Sequence, residues 1–156
     1  MGFEKHLEYS TMNHLQTQII IQAEISKVWN VLMDFDAYPN WNPFVKSISG
    51  TKKIGEKLTV FIKPPDGNGM TFKPVILNLD PGKEFRWKGK LGMSGIFDGE
   101  HYFLLEYVDA GVTRFVHGEK FSGILVPMMG KMLEKTKIGF ESMNESLKEQ
   151  CEKCIY

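Results

Sequence analysis

The stretch Pro127–Gln150, PMMGKMLEKTKIGFESMNESLKEQ, decides the fold. Its proline suits the first turn of a helix, and apolar side chains then recur every three or four residues, which is typical of an amphipathic helix. At about 100° per residue, a stripe about 100° wide contains Met129, Met132, Leu133, Thr136, Phe140, Met143, Leu147 and Cys151. The pattern predicts one helix roughly 36 Å long, which is long enough to cross a small sheet.

Upstream of this helix, the sequence predicts strands that are separated by tight turns. The β-branched segment Leu15–Glu24 predicts a first strand, Ser26 predicts a helix N-cap, and Asp34–Pro43 predicts a compact loop or second short helix. Turn signals then follow at hairpin-like intervals, at Lys53–Glu56, Pro65–Gly69, Asp80–Gly82 and Asp109–Gly111. The predicted fold class is therefore α+β. An antiparallel sheet of about seven strands curves around the long C-terminal helix, with two short helices after the first strand.

The composition of the chain limits its partners. Its 156 residues fit one domain. Its 19 basic residues balance 19 acidic ones, and Arg86 and Arg114 are its only arginines. Binding a polyphosphate backbone requires clustered positive charge, so nucleic acid is not an expected partner. No apolar run approaches the roughly 20 residues that cross a bilayer, so no membrane span is predicted.

The two ends of the chain carry little recognisable chemistry. Residues 1–14 lack the apolar stretch of a signal peptide. With Met12 available as a start, they are predicted to be a leader, disordered or non-native, before a domain at residues 15–153. Cys151 and Cys154 would close a helix, whereas redox pairs usually open one and metal sites need more ligands. They are interpreted as ordinary thiols, and few cysteines without a signal peptide predict a cytoplasmic location.

Five short motifs follow one another in order along the chain. They are V-W at Val28–Trp29, W-N-P at Trp41–Pro43, G-x-H-x-F at Gly99–Phe103, G-x-T-R-F at Gly111–Phe115 and F-x-G at Phe121–Gly123. With these motifs the chain, from about Leu15 to Lys153, resembles the START/polyketide-cyclase (SRPBCC) superfamily. The resemblance implies the helix-grip fold, which the birch-pollen allergen also has, and a cavity for a small hydrophobic molecule. It leaves the function open, because members include lipid carriers, hormone receptors, cyclases, dehydratases and chaperone co-activators.

The turn at Asp109–Gly111 predicts a pairing register for the two strands around it. Glycine in the third position suits the left-handed residue that closes a three-residue loop. If Val108 then pairs with Val112, three opposed pairs follow, namely His101 with Glu119, Phe103 with His117, and Leu105 with Phe115. Because charged residues of both strands alternate with these six, all six are expected on the concave face of the sheet.

An inward pair of His101 and Glu119 would have chemical consequences. A carboxylate beside an imidazole raises its basicity and fixes its tautomer, as a general base for enolisation or aldol cyclisation requires. The pair could equally orient a polar group of a ligand, or be a buried structural pair. His117 is a second candidate base, with an alternative position half-exposed near the open end of its strand. Four histidines without an H-x-x-x-H or H-x-H cluster predict no metal site, and no cofactor is expected.

The predicted ligand-binding residues combine the helix stripe with the concave face of the sheet. Methionine thioethers line adaptable apolar pockets, although such a stripe is also typical of plain core. The candidates are Trp41, Phe85, Trp87, His101, Phe103, Leu105, Phe115, His117, Glu119, Phe121, Met129, Met132, Leu133, Thr136, Phe140 and Met143. A pocket of about 300–1,000 Å³ is expected between the sheet and the last helix.

Three functions are consistent with these residues. The leading hypothesis is a module that carries, sequesters or senses a small hydrophobic molecule, with apolar burial for affinity and His101 and Glu119 for orientation. The second is a cofactor-independent cyclase or dehydratase on a polyketide-like substrate, with His101, His117 and Glu119 as catalytic candidates. The third is an interaction domain similar to chaperone co-activators, which the lack of a large apolar exterior pattern disfavours. The sequence is consistent with either a monomer or a homodimer.

Overall fold

The computed structural model describes residues 14–153 of the chain. The strands are β1 (His14–Ile21), β2 (Val45–Ser49), β3 (Thr59–Ile62), β4 (Met70–Phe72), β5 (Val75–Asp80), β6 (Glu84–Leu91), β7 (Phe97–Asp109) and β8 (Val112–Ser122). The helices are α1 (Ile25–Met33), α2 (Tyr38–Trp41) and α3 (Gly130–Glu152), with 3-10 turns at Phe35–Ala37 and Val126–Met128. The predicted leader lies outside the described residues except for His14, which begins β1, and Cys154 also lies outside them.

Two antiparallel sheets form the curved β-layer. The larger has the strand order β1-β8-β7-β6-β5, and the smaller has the order β2-β3-β4. They meet near the start of β5, where Lys57 forms a bridge with Val75 and the Leu58 N–H donates to the Pro74 carbonyl at 2.8 Å. The predicted α+β helix-grip fold is confirmed, with eight strands where about seven were expected from the turn spacing.

Several element boundaries differ from the predicted ones for local reasons. β1 ends at Ile21, and α1 begins where the Glu24 carbonyl accepts the Lys27 N–H at 3.0 Å, without a cap from the Ser26 side chain. Pro127 lies in the 3-10 turn that precedes α3, so the α-helix begins three residues later than expected. Proline lacks an N–H donor and suits the first turn of either helix type, so the pattern located the turn but not its geometry.

The β7–β8 hairpin reaches the predicted register by an unexpected route. Asp109 pairs with Val112 across a two-residue loop rather than a three-residue one. Val108 bulges out of the ladder just before this pair, and the extra residue restores the register that a two-residue loop alone would shift by one. Gly111 is left-handed, as predicted, with a φ of 68°. His101 therefore lies opposite Glu119, Phe103 opposite His117, and Leu105 opposite Phe115.

The concave face of the larger sheet carries its side chains in rows across the strands. Two aromatic rows join Phe85, Phe103 and His117, then Trp87, His101 and Glu119, and the next row, the glycine row, joins Gly89, Gly99 and Phe121. The ring centroids of Phe85 and Trp87 are 5.3 Å apart, and those of Trp87 and His101 are 4.7 Å apart. The side chains of the aromatic rows are therefore closely packed. The glycine row has no side chain at two of its three positions, so less of the space below α3 is filled there.

α3 packs one side against this sheet along its length. Phe140, Met143 and Leu147 are fully buried, while Ile138 on the other side is 51% exposed. A Cβ at Gly139 would lie 2.7 Å from Cε2 of the buried Phe44 ring, so this glycine allows the helix to approach the segment after α2. No helix in the described part of the chain is both long and apolar enough to cross a membrane.

Candidate functional site

A cavity of about 360 Å³ lies between the glycine row, the smaller sheet and the first half of α3. The apolar part of its wall comes from Ile62, Met70, Phe72, Phe97, Phe121 and Met132. Asn68, Lys131 and Lys135 also line it and are exposed, so the cavity opens to solvent between the β3–β4 loop and α3. Its volume is sufficient for a small organic molecule.

The glycine row explains why the cavity occurs at this end of the sheet. A Cβ at Gly99 would overlap the carboxyl group of Glu119, and a Cβ at Gly89 would lie 3.0 Å from the Phe72 ring of β4. The Glu119 carboxyl and the Phe72 ring therefore occupy the space that a Cβ would take, close to the glycine backbone. A hollow remains above them, beneath α3.

Four of the sixteen predicted ligand-binding residues line this cavity. They are Glu119, Phe121, Met132 and Thr136. Nine others are buried in the core around the aromatic rows and α3: Phe85, Trp87, His101, Phe103, Leu105, Phe115, His117, Phe140 and Met143. Leu133 is also buried, Met129 packs half-buried at the edge of the core, and Trp41 packs on Tyr38 within α2. The cavity is therefore nearer the start of α3 than the stripe indicated, because large rings fill the space beneath the helix centre.

The remaining wall residues were absent from the sequence-based set. Ile62, Met70 and Phe72 belong to the short strands β3 and β4, whose few residues show no clear alternation. The signal that could have located the cavity is the pair Gly89 and Gly99, which the register places side by side on the inner face. Ligand contact by any of the sixteen predicted residues stays a prediction.

Glu119 connects the cavity to a line of buried polar side chains. Its Oε2 lies 3.4 Å from His101 Nδ1, and His101 Nε2 lies 2.7 Å from His117 Nε2. His117 Nδ1 lies 2.9 Å from Asn144 Oδ1 on α3, and Asn144 Nδ2 donates to Thr17 Oγ1 at 2.8 Å. The Thr17 hydroxyl donates to the backbone carbonyl of His117 at 3.0 Å. These five residues form the polar relay, which runs from the cavity wall through β7 and β8 to α3 and β1.

The far end of the polar relay determines the direction of its hydrogen bonds. The Thr17 hydroxyl donates its one hydrogen to a carbonyl, so its oxygen accepts from the Asn144 amide nitrogen. The Asn144 oxygen then accepts from His117 Nδ1, which leaves His117 Nε2 as the acceptor of a bond from His101 Nε2. A neutral imidazole has one donor and one acceptor, so His101 Nδ1 presents a lone pair to Glu119. The relay is satisfied when Glu119 Oε2 carries a proton.

Burial keeps the ionisable members of the relay neutral near pH 7. Desolvation raises the pKa of Glu119 to about 8 and lowers the pKa of His101 to about 3. Desolvation also lowers the pKa of His117 well below its usual value, with a smaller contribution from His101, while the Asn144 hydrogen bond acts in the opposite direction. The Glu119 side chain is 17% exposed, compared with 4% for His101. Glu119 is therefore the member that can exchange a proton with the cavity near neutral pH.

These findings correct two expectations about the catalytic candidates. A Glu119 carboxylate was expected to raise the basicity of His101, but burial raises the pKa of Glu119 and lowers the pKa of His101. The alternative half-exposed position of His117 is wrong, because its ring is fully buried under Phe140, with centroids 4.0 Å apart and 14° between the planes. Within residues 14–153, no group of three or more His, Cys, Asp or Glu side chains is placed to hold a metal ion.

The raised pKa of Glu119 predicts how its replacement changes stability with pH. The carboxyl group is protonated in both states below about pH 4.5, its ordinary value. As pH rises from there to about 8, the unfolded chain ionises before the folded one, so wild-type stability falls by up to about 1.4 kcal/mol per pH unit. Glu119→Gln is neutral in both states, so its stability advantage over wild type should grow between these pH values. Urea unfolding across this range measures the difference.

Two features make this comparison specific. The low pKa values of His101 and His117 cost stability as pH falls, but both proteins contain them, so their contribution cancels. Glu134→Gln, on the exposed side of α3, is the matched control and should show no trend with pH relative to wild type. A constant difference between Glu119→Gln and wild type would contradict a protonated Glu119.

Comparisons with known proteins place this geometry among related chains. Residues 12–152 match the sequence model of a family described as polyketide cyclase / dehydrase and lipid transport. A search of curated protein sequences finds no match.

Solved structures share the fold at low sequence identity. A START superfamily protein from Mycobacterium smegmatis is 17% identical, with a TM-score of 0.70 over 90% of this chain and 97% of that one. The Zhui aromatase/cyclase from Streptomyces sp. R1128 is 17% identical, with a TM-score of 0.73 over 89% and 93%. The di-domain ARO/CYC BexL from the BE-7585A biosynthetic pathway is 12% identical, with a TM-score of 0.68 over 94% and 52%. At these identities the similarity establishes the fold.

Proposed function

Because the chain belongs to the polyketide cyclase / dehydrase and lipid transport family, we propose that it binds a small, largely apolar molecule in the cavity beneath α3. The observation that carries this proposal is a mainly apolar cavity in which Glu119 is the one acidic side chain on the described wall. Burial of apolar ligand surface supplies affinity at about 25 cal/mol per Å². The carboxyl group supplies orientation by holding one polar group of the ligand.

The polar relay determines which kind of polar group on a ligand can form a hydrogen bond with Glu119. Oε2 carries the proton and faces the lone pair of His101 Nδ1, so Oε1 is the atom left to act as an acceptor for a ligand. The carboxyl lies over Gly99 on the cavity wall, where a ligand can reach it. The preferred ligand therefore has an apolar body and a hydroxyl or N–H group that donates to Oε1.

Catalysis is the second candidate function, and one observation favours it. An acid with a pKa of about 8 that contacts a histidine pair can give or take a proton near neutral pH, as cyclisation and dehydration require. The structural neighbour Zhui is named an aromatase/cyclase. In this function Glu119 would exchange a proton with the substrate, and His101 and His117 would hold the carboxyl in position.

One pair of substitutions at Glu119 separates these functions. Glutamine keeps the shape of the side chain, since its amide N–H can donate to His101 and its oxygen can accept from a ligand, but it cannot transfer a proton. Leucine removes both bonds, so the donor group of the ligand would be buried without an acceptor, which should weaken binding by about 1–3 kcal/mol. A carrier should therefore bind its ligand equally well as Glu119→Gln and about 5- to 150-fold more weakly as Glu119→Leu.

The ligand for this test is a molecule that remains bound to the protein during purification. Native mass spectrometry of the protein purified from its own host would detect a retained molecule, and extraction would identify it for calorimetric titration. Wild-type turnover of that molecule, with a rate reduced about 10²–10⁴-fold in Glu119→Gln, would establish the catalytic function instead. Equal affinity of wild type and Glu119→Leu would contradict a role for Glu119 in holding the ligand, and an unchanged turnover rate in Glu119→Gln would contradict a catalytic role.

A further inference from the structure

Two loops at the cavity end of the protein expose large apolar side chains. Met93, between β6 and β7, is 74% exposed, and Ile124 and Met128, between β8 and α3, are 76% and 79% exposed. Leu125 beside them is 36% exposed. Single exposed apolar residues are ordinary on protein surfaces. These four belong to two loops that are hydrogen-bonded to each other, and together they are called the apolar tip; exposed apolar side chains grouped in this way are typical of an interaction site.

Backbone hydrogen bonds hold the two loops of the apolar tip together. The Ile124 N–H donates to the Gly95 carbonyl at 3.1 Å, and the Leu125 N–H donates to the Ile96 carbonyl at 3.1 Å. At the base of the loops the rings of Phe97 and Phe121 stack with centroids 5.5 Å apart. The exposed side chains therefore project from a braced platform, and their exposure is not the result of an unsupported loop.

The apolar tip adjoins the mouth of the cavity, and the mouth is cationic. Phe97 and Phe121, at the base of the loops, line the cavity. The exposed lysines Lys90, Lys131 and Lys135 also line it. The acidic wall residue, Glu119, is neutral near pH 7 because burial raises its pKa to about 8. In a chain with no net charge, positive charge is thus concentrated beside an exposed apolar surface.

We propose that the apolar tip and these three lysines dock the protein on the surface of an anionic lipid bilayer, with the cavity mouth toward the lipid. Apolar side chains with a cationic border are the combination that such a surface attracts, because the side chains enter the headgroup boundary and the lysines approach the lipid phosphates. A neutral apolar partner would leave the lysines without a counter-charge. Docking of this kind would apply whether the cavity holds a cargo or a substrate.

Sedimentation with lipid vesicles tests the proposal without any cavity ligand. The protein should bind phosphatidylcholine vesicles that contain phosphatidylglycerol more tightly than pure phosphatidylcholine vesicles, and added salt should weaken the binding. The triple variant Met93→Ser/Ile124→Ser/Met128→Ser should lose at least about tenfold in affinity. Lys131→Gln/Lys135→Gln should lose roughly fivefold for each lysine removed.

Matched controls carry equal changes away from the mouth. Ile54→Ser/Tyr107→Ser/Val108→Ser removes three exposed apolar side chains, which are 57%, 70% and 42% exposed, and Lys53→Gln/Lys57→Gln removes two exposed lysines. Both controls should bind vesicles like wild type. The proposal is overturned if wild type binds neither vesicle, or if the controls lose as much binding as the test variants. A dimer in solution that the apolar triple variant dissolves would instead assign the apolar tip to a second copy of the chain.

Discussion

Replacing Phe140 by alanine should lower the free energy of unfolding by about 3–5 kcal/mol. Phe140 is fully buried at the centre of α3, and its ring contacts the rings of Phe44, His101 and His117 at centroid distances of 5.5, 5.0 and 4.0 Å. Its removal would leave a cavity that the rigid aromatic rows cannot close, and it would uncover the polar relay. Urea unfolding at neutral pH measures the loss.

A neighbouring position on the same helix provides the control. Ile138 is 51% exposed, and its replacement by alanine should change stability by no more than about 0.5 kcal/mol. Equal losses of unfolding free energy in Phe140→Ala and Ile138→Ala would contradict the packing of α3 over the aromatic rows of the sheet.

The second large effect is expected on ligand binding, from Thr136→Trp. Thr136 is buried on the cavity wall, where its hydroxyl donates to the Met132 carbonyl at 2.8 Å. An indole ring at this position would occupy much of the cavity of about 360 Å³. The affinity for an amphipathic dye with a large apolar ring system, such as 1-anilinonaphthalene-8-sulfonate, should fall at least about tenfold, which corresponds to about 1.4 kcal/mol. Fluorescence titration measures it.

The specificity of this result depends on a second tryptophan. Ile138→Trp adds the same ring to the exposed side of α3 and should leave dye affinity unchanged. Unaltered dye binding in Thr136→Trp would show that the dye, and by extension an apolar ligand, does not enter the cavity beneath α3.

The fold was predictable because its signals are long and redundant. The stripe on α3 repeats over six turns, and any one residue could be lost without hiding it. The register of β7 and β8 depended on one glycine, and it was right for a reason that the sequence does not show. The loop is one residue shorter than expected, and the bulge at Val108 compensates for it. A bulge has no distinctive residue pattern, so the residues of the turn alone could not have revealed either the shorter loop or the bulge.

The sequence predicted an apolar cavity between the sheet and the last helix, but it did not predict where along the helix the cavity lies. Hydrophobic periodicity identifies which side chains face inward, and it ranked Phe85, Trp87 and Phe140 as lining residues for that reason. It does not tell whether facing side chains meet or leave a gap, because that depends on volumes summed across strands distant in sequence. The gap arises where Gly89 and Gly99 become neighbours, which only the register reveals.

The protonation state of Glu119 also could not be predicted from the sequence. A spacing argument places the carboxyl group beside His101, but the charge depends on how much water reaches both groups. Burial of His101 and His117 makes a charged imidazole too costly, and the proton is held by the acid instead. The exposed Met93, Ile124 and Met128 were missed for a related reason, since isolated apolar residues in loops look the same in sequence whether they fold inward or project outward.

The division of the concave face into filled rows and a hollow row has an evolutionary consequence. Substitutions in the aromatic rows draw on a small reserve of stability, so most of them would be removed by selection. Substitutions of wall side chains such as Met70, Met132 and Thr136 reshape a space that already lacks packing, so they change the ligand at less cost to folding. Adaptation to a new molecule can therefore proceed at one end of this sheet while the other end keeps the protein folded, which makes the scaffold readily adaptable.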